Sequence, residues 1–366
     1  MVVTCGARAL IRLDALRSNF NQIREAAKGA RILAVVKADA YGHGLATVAG
    51  HLPDADGFAV ARIDEAMQLH AAGVRRPIVL LEGVTDAEEM QSALQRNFEP
   101  VVHCEHQVEL LEQASSGSAN VWLKIDTGMR RLGVEPDRAA VLIERLGACR
   151  SVSSIRLMTH LAIADDLADA MTTRQLGVFR ASLGGFDGEI SVANSPAIFG
   201  WSEAIALGFE PQKTWLRAGI CLYGISPFAD RCGSDLGLRP VMELATGLIA
   251  VKPIRAGDRV GYGATWQAVE DTVLGIFAAG YGDGYSRFIP SGTPVLVNGR
   301  LVPLAGRVSM DMAAVDLGPG AKDRIGAPVT LWGEGLPVEE IAACAGTIPY
   351  QLVCGVTSRT PRLPVA

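Results

Sequence analysis

Apolar and polar positions follow two different rhythms along the chain. In residues 14–27, Leu16, Phe20, Ile23 and Ala27 recur at helical spacing, with Asp14 placed to cap the start. Short, almost wholly apolar runs then appear at RILAVVK (31–37), GFAVA (57–61), PIVLLEG (77–83), PVVH (100–103), VWLKID (121–126), SIRLMTH (154–160), EISVAN (189–194) and WLRAGI (215–220). Such runs mark parallel strands buried on both faces. Helix-sized inserts separate them, including DEAMQLHAA (64–72) and DRAAVLIERLG (137–147). Eight β/α units within about 220 residues predict an α/β fold, a (β/α)8 TIM-type barrel, with a doubly wound sheet as the alternative.

After about residue 230 the helical rhythm fades. Short alternating runs broken by Gly and Pro take over: TVLGIFAAG, TPVLVNGRLVPLAG, MAAVDLG and PVTLWGEG. Asn298-Gly299 between two apolar runs predicts a two-residue hairpin. The pattern predicts a smaller, mainly antiparallel β domain with one short helix near 337–345. The expected division is a barrel over 8–228 and a β domain over 229–366, which residues 1–7 could join.

Composition narrows the function. The 366 residues are 49% hydrophobic and 20% charged, enough to bury a core. A net charge of −5 disfavours nucleic acid as a partner and suits a small-molecule ligand. The start, MVVTCGARALIRLDAL, has no signal-peptide pattern, and no run reaches the ~18 apolar residues of a membrane span. The seven cysteines form no CxxC pair, so free thiols in a cytoplasmic protein are expected. His103 and His106 flank Cys104, but no second ligand cluster matches them; a strand end running into a helix is expected there, and no metal.

The segment VVKADAYGHG (35–44) carries the first candidate chemistry. Lys37 ends an apolar strand, where a barrel keeps its active site. Desolvation lowers a lysine's pKa and favours Schiff-base chemistry, whereas a lone lysine at a strand end ordinarily snorkels into water. Tyr41 is within reach of a bound phosphate, and Gly42 and Gly44 let backbone approach a ligand.

This segment resembles the cofactor-lysine motif of the alanine racemases, barrel-type (fold type III) pyridoxal-phosphate enzymes. KIDTGMRRLG (124–133), MTHLAIAD (158–165), ANSPA (193–197), WLRAGICLYG (215–224), AAGYGDGYSR (278–287) and GRVSMDM (306–312) extend the resemblance over most of the chain. It implies that Lys37 carries pyridoxal 5'-phosphate and is one of two catalytic bases, with Tyr281 the other. Tyr41, His160, Ser195, Arg217 and the backbone N–H groups of Gly219 and Ile220 would hold the cofactor, Arg217 facing its pyridine nitrogen. Arg131 and Met310 would touch the substrate, and Asp165 and Arg307 would line the access channel. Lys124 matches a lysine carbamylated in several relatives; a carbamate would pair with Arg131 instead of repelling it. Arg130 adds a further charge beside the site, and the plain alternative for the segment is a salt-bridge cluster around Asp126.

An arginine stays protonated and leaves the pyridine nitrogen unprotonated. That weakens the ring as an electron sink, which favours return of the proton to Cα, hence racemisation. By the resemblance, Lys37 acts on D-alanine and Tyr281 on L-alanine, in sites shared across a homodimer. A tyrosine of ordinary pKa near ~10 needs a hydrogen bond or a cation to act as a base, and His160 and Arg217 are the candidates. Ser358 stands where some relatives have a pocket tyrosine, which leaves serine open as a substrate. A barrel-only cofactor-binding protein and a decarboxylase are the other readings. The second domain speaks against the first, and the arginine at the pyridine nitrogen against the second.

Overall fold

The structure is a computed structural model and describes residues 5–366. Eight parallel strands close a barrel: β2 (Arg31–Val35), β3 (Gly57–Val60), β4 (Ile78–Leu80), β5 (Glu99–Val102), β6 (Ala119–Lys124), β7 (Val152–Met158), β8 (Ile190–Ser191) and β9 (Thr214–Ala218). Closure comes from β2 pairing with β9, Leu33 opposite Arg217. The open doubly wound alternative is thereby excluded.

A second sheet, mainly antiparallel, follows. It contains β1 (Arg8–Arg12), β10 (Met242–Ile254), β13 (Thr272–Phe277), β14 (Pro294–Val297), β15 (Arg300–Pro303), β16 (Ala313–Gly318), β17 (Pro328–Trp332) and β18 (Arg362–Val365), with β11 (Arg259–Val260) and β12 (Trp266–Gln267) as a separate small ribbon. The N-terminal strand given to this sheet runs to Arg12, beyond the residues 1–7 expected from sequence, because β1 pairs with both β10 and β18. Residues 1–4 of that expectation lie outside the described residues. Val297 pairs with Arg300 around Asn298 (φ 48°) and Gly299 (φ 77°), the two left-handed residues of the expected hairpin.

Helix ends depart from the sequence reading. The first helix spans Leu13–Ala26, capped by Arg12 without a side-chain bond. Asp14 instead lies in its first turn and pairs with Arg239 at 2.8 Å. His103 follows β5 and precedes the helix Glu105–Glu112, as expected. Among the described residues no cluster could hold a metal ion, and no helix is long and apolar enough to cross a membrane.

Side chains two apart on a strand share a face. On three barrel strands this rule links the two mouths: Trp122 with Lys124, Arg156 with His160 just beyond β7, and Trp215 with Arg217. The N-terminal mouth is closed by the lower members. Arg156 lies over both indole rings, 5.2 Å from each, and the two rings meet edge to face. Glu99, 2% exposed, accepts from Arg156 (2.5 Å), Trp122 Nε1 (2.8 Å) and Asn120 (2.9 Å). Glu189 takes Arg156, Arg31 and Trp215 Nε1.

Removing one partner of a buried charge pair leaves the other uncompensated and costs about 3–5 kcal/mol. Glu99→Ala is expected to destabilise the chain by about this amount, read as a lowered urea midpoint. A wild-type midpoint would show that the plug adds nothing.

Candidate active site

Tertiary contacts, not local preference, shape the segment after β2. Lys37–Gly42 form one helical turn in which Ala38, Asp39, Ala40 and Tyr41 all have φ 53°. Left-handed backbone costs L-residues about 1–2 kcal/mol each, so four in a row must be held from outside. Glu65 Oε1 accepts from Ala38 N at 2.6 Å, and Asp39 Oδ1 accepts from Leu45 N at 2.8 Å. His43 Nδ1 lies 3.0 and 2.8 Å from the carbonyls of Ala40 and Tyr41. Carbonyls only accept, so Nδ1 carries the proton. The ring is neutral at ordinary pH, because burial pulls its pKa to about 4. Gly42 (φ 79°) presses on the helix Pro349–Cys354, where a Cβ would meet the Val353 carbonyl at 2.2 Å.

The turn brings Lys37 and Tyr41 to the C-terminal mouth of the barrel. Burial lowers the pKa of Lys37, as does Arg131; Glu82 and Glu65 act the other way. Tyr41 is buried against Tyr223, ring centroids 4.9 Å apart, and its hydroxyl lies beside Gly219 and Ser195. A Cβ at position 219 would sit 2.9 Å from the Tyr41 hydroxyl and 3.4 Å from Ser195 Oγ. Ser195 Oγ accepts from Gly219 N at 2.9 Å and from Cys221 Sγ at 3.2 Å. Ser195 is not the helix cap: Asn194 fills that place, accepting from Ala197 N. The strand expected to reach Ile220 stops at Ala218, so Gly219 and Ile220 open a 3-10 turn (Ile220–Tyr223). Two hydroxyls, two backbone N–H groups and a position without Cβ make a cradle suited to a phosphate.

Lys124, His160 and Arg217 occupy the top layer of the same mouth. Arg217 is buried, forms no ion pair among the described residues, and donates to Ser191 Oγ (2.5 Å), Thr159 O (2.7 Å) and Val192 O (3.3 Å). Burial lowers its pKa to about 10, so it stays cationic at neutral pH. It also donates to His160 Nδ1 at 3.3 Å, which places the imidazole proton on Nε2. Burial, then Arg217, Lys124, Arg131 and Lys37, hold His160 neutral. Burial, Arg217 and Arg131 bring Lys124 to about pH 8, within the range where an amine adds carbon dioxide. Arg131 is exposed at the mouth. Arg130 turns away into an ion pair with Glu135 at 2.7 Å, so its charge is spent outside the site. Asp126 is no salt-bridge centre: its Oδ1 accepts from the backbone of Gly128 and Arg130.

Tyr281 and Met310 stand elsewhere, exposed by 40% and 53% on the second domain. Their segments are stitched together by Tyr281 N to Ser309 O (3.0 Å) and Gly282 N to Met310 O (2.8 Å). None of the groups acting on Lys37 comes from them. Arg307 belongs to the same loop and reaches toward Gly263, while Asp165 lies on the barrel side near Tyr350.

Three features escaped the sequence reading. Glu65 looks like a solvated acid of a helix start but is buried. Tyr350 packs on Tyr41 at 6.1 Å, with its hydroxyl pKa raised by burial. Ser358, which stands where some relatives have a pocket tyrosine, is exposed. Arg359 binds Asp283 (2.9 Å) and Asp311 (2.6 Å), joining the two segments that carry Tyr281 and Met310.

A desolvated lysine beside a cradle suited to a phosphate, at the mouth of a closed barrel joined to a β domain, fits a barrel-type enzyme with a phosphate-bearing ligand. Residues 11–227 match the alanine racemase N-terminal domain and 241–364 the C-terminal domain. An alanine racemase of Vibrio vulnificus is 49% identical over 355 residues, 96% of this chain and 97% of the relative. The crystal structure of the biosynthetic alanine racemase from Pseudomonas aeruginosa superposes with TM-score 0.92 at 41% identity, covering 99% of both chains. The alanine racemase from Acinetobacter baumannii gives 0.91 at 36%, covering 99% of this chain and 100% of that one. The chain belongs to the alanine racemase family of enzymes.

Filling the cradle is expected to weaken binding of pyridoxal phosphate to Gly219→Ala by tenfold or more, measured by equilibrium dialysis, with circular dichroism unchanged. Retained affinity would remove the cradle from the site. For Lys124, the folded chain holds the depressed pKa, so the unfolded chain binds more protons between about pH 8 and 10.5. Lys124's contribution to stability therefore rises with pH across that window and is absent below it. Wild type should gain on Lys124→Met as pH increases there, measured by denaturant titration at several pH values. Parallel curves would contradict the depressed pKa.

Proposed function

We propose that the chain interconverts L- and D-alanine with pyridoxal phosphate held at Lys37. The observation that carries this reading is the meeting of the desolvated Lys37 with the Tyr41–Ser195–Gly219 cradle and a buried, unpaired Arg217. When bound, the cofactor supplies an aldehyde to capture the substrate amine and a ring that acidifies the Cα–H bond. Tyr41, Ser195, Gly219 and Ile220 would hold its phosphate, His160 would flank the ring, and Arg217 would face the ring nitrogen. Arg217 already spends its protons on neutral acceptors and cannot take another, so the nitrogen keeps its lone pair.

Lys37 then exchanges a proton with Cα on one face, and Arg131 orients the substrate carboxylate. A carbamate on Lys124 would turn a cation among Arg131 and Arg217 into their counter-ion. The opposite face is assigned to Tyr281 of a second copy, with Met310 beside it. Support comes from their exposure on the second domain, on segments braced by Arg359, with no such role within their own chain. Arg307 and Asp165 would then meet across the access channel. The domains assigned to these halves are 8–228 and 229–366, with β1 lending its strand to the second sheet. The product would supply D-alanine for peptidoglycan, or the reverse reaction would consume it. Serine stays open as a slower substrate, since Ser358 stands where some relatives have a pocket tyrosine.

A chiral assay of the purified chain with pyridoxal phosphate should show rapid interconversion of the alanines and a slower serine rate. In the same assay Tyr281→Phe should suppress turnover from L to D while cofactor binding persists. Undiminished activity in both directions would remove Tyr281 from the mechanism.

A further inference from the structure

Glu65 is the third residue of the helix Ile63–Ala71, where a glutamate ordinarily reaches back to cap the helix start. One oxygen is enough for that task. Oε2 accepts from Ala61 N at 2.8 Å and from Arg62 N at 3.4 Å. The other oxygen leaves the helix altogether and takes the Ala38 N–H at 2.6 Å. Ala38 immediately follows Lys37 and is the first of the four left-handed residues. A helix cap and the backbone beside the lysine thus share one buried carboxylate.

We propose that Glu65 is a positioning residue for the racemase reaction, clipping the backbone after Lys37 to the start of the next barrel helix and so fixing where the lysine amine points. This rests on the assignment of Lys37 as the cofactor lysine. Without the clip the Ala38 N–H loses its acceptor, and the turn loses its first external tie. The carboxylate also adds negative charge near an amine that faces Arg131. The charged and titratable groups that face Lys37 are Arg131, Glu82, Glu65 and Cys354, joined by Lys124 and His160 across the mouth. Glu65 and Glu82 oppose the lowering of the Lys37 pKa by burial and Arg131.

Two substitutions separate charge from reach. Glu65→Gln keeps the size and can still cap with its oxygen, but its amide NH2 then meets the Ala38 N–H donor to donor. Glu65→Asp keeps the charge and is one methylene too short to serve both ends. Two measurements apply: the pH midpoint for acylation of Lys37 in the cofactor-free full chain, read by peptide mass spectrometry, and the Kd for pyridoxal phosphate, read by absorbance. Glu65→Gln is expected to move the midpoint down by on the order of half a pH unit and to weaken cofactor binding. Its kcat should fall on the order of tenfold, with KM little changed. Glu65→Asp should restore the midpoint but not the Kd or kcat. Wild-type midpoint and Kd in Glu65→Gln would overturn the proposal. Should Glu65→Gln not fold, wild-type Kd and kcat in Glu65→Asp would overturn it equally. Failure of the wild-type chain to form a borohydride-fixed adduct at Lys37 would instead defeat the cofactor assignment, and the acylation midpoint alone then decides the role of Glu65.

Discussion

The left-handed turn from Ala38 to Tyr41 is the constraint to which the rest of the site answers. Its backbone is unfavourable for every residue in it, so it exists only because neighbours from three directions hold it: the Glu65 carboxylate, the His43 ring and the helix Pro349–Cys354. In return it turns the chain sharply enough to put a lysine and a tyrosine at one mouth of the barrel. Relaxing it to a right-handed turn would send Tyr41 away from Gly219 and dissolve the cradle.

The barrel supplies the remaining groups through the period of two along its strands. Each of three strands offers one side chain to the plug at the lower mouth and one to the upper layer. Stability and chemistry are thereby written on the same strands but at opposite ends. The lower end satisfies its charges internally, Glu99 and Glu189 against Arg156 and Arg31. The upper end leaves cations crowded together, which is costly for folding and makes a mouth suited to anions.

Much of the architecture was legible because barrel strands buried on both faces have no polar alternation to confuse, and because Asn298-Gly299 names its own turn. What was not legible depends on tertiary contact. Nothing in KADAYG announces four left-handed residues; its alanines favour an ordinary helix. Glu65 was hidden because an acid at a helix start has a sufficient local explanation, and Asp14 misled for the same reason, being a good cap that the chain does not use. The candidate site residues were proposed from resemblance to a family, whereas Tyr350 lay in a short helix with no pattern to mark its inward face.

The place of β1 carries a consequence for how the protein is made. This strand lies between β10 and β18, Ala9 paired with Arg362 on one side and with Leu244 on the other. Every barrel strand is translated before β10, so a nascent chain can close the barrel while β1 still waits at the ribosome for both its neighbours. At roughly 5–20 residues per second, that wait lasts tens of seconds, with a partly apolar edge uncovered throughout. β18, translated long after β1, is thus the strand that seals it, and a chain made only as far as β17 would carry a finished barrel with an open seam.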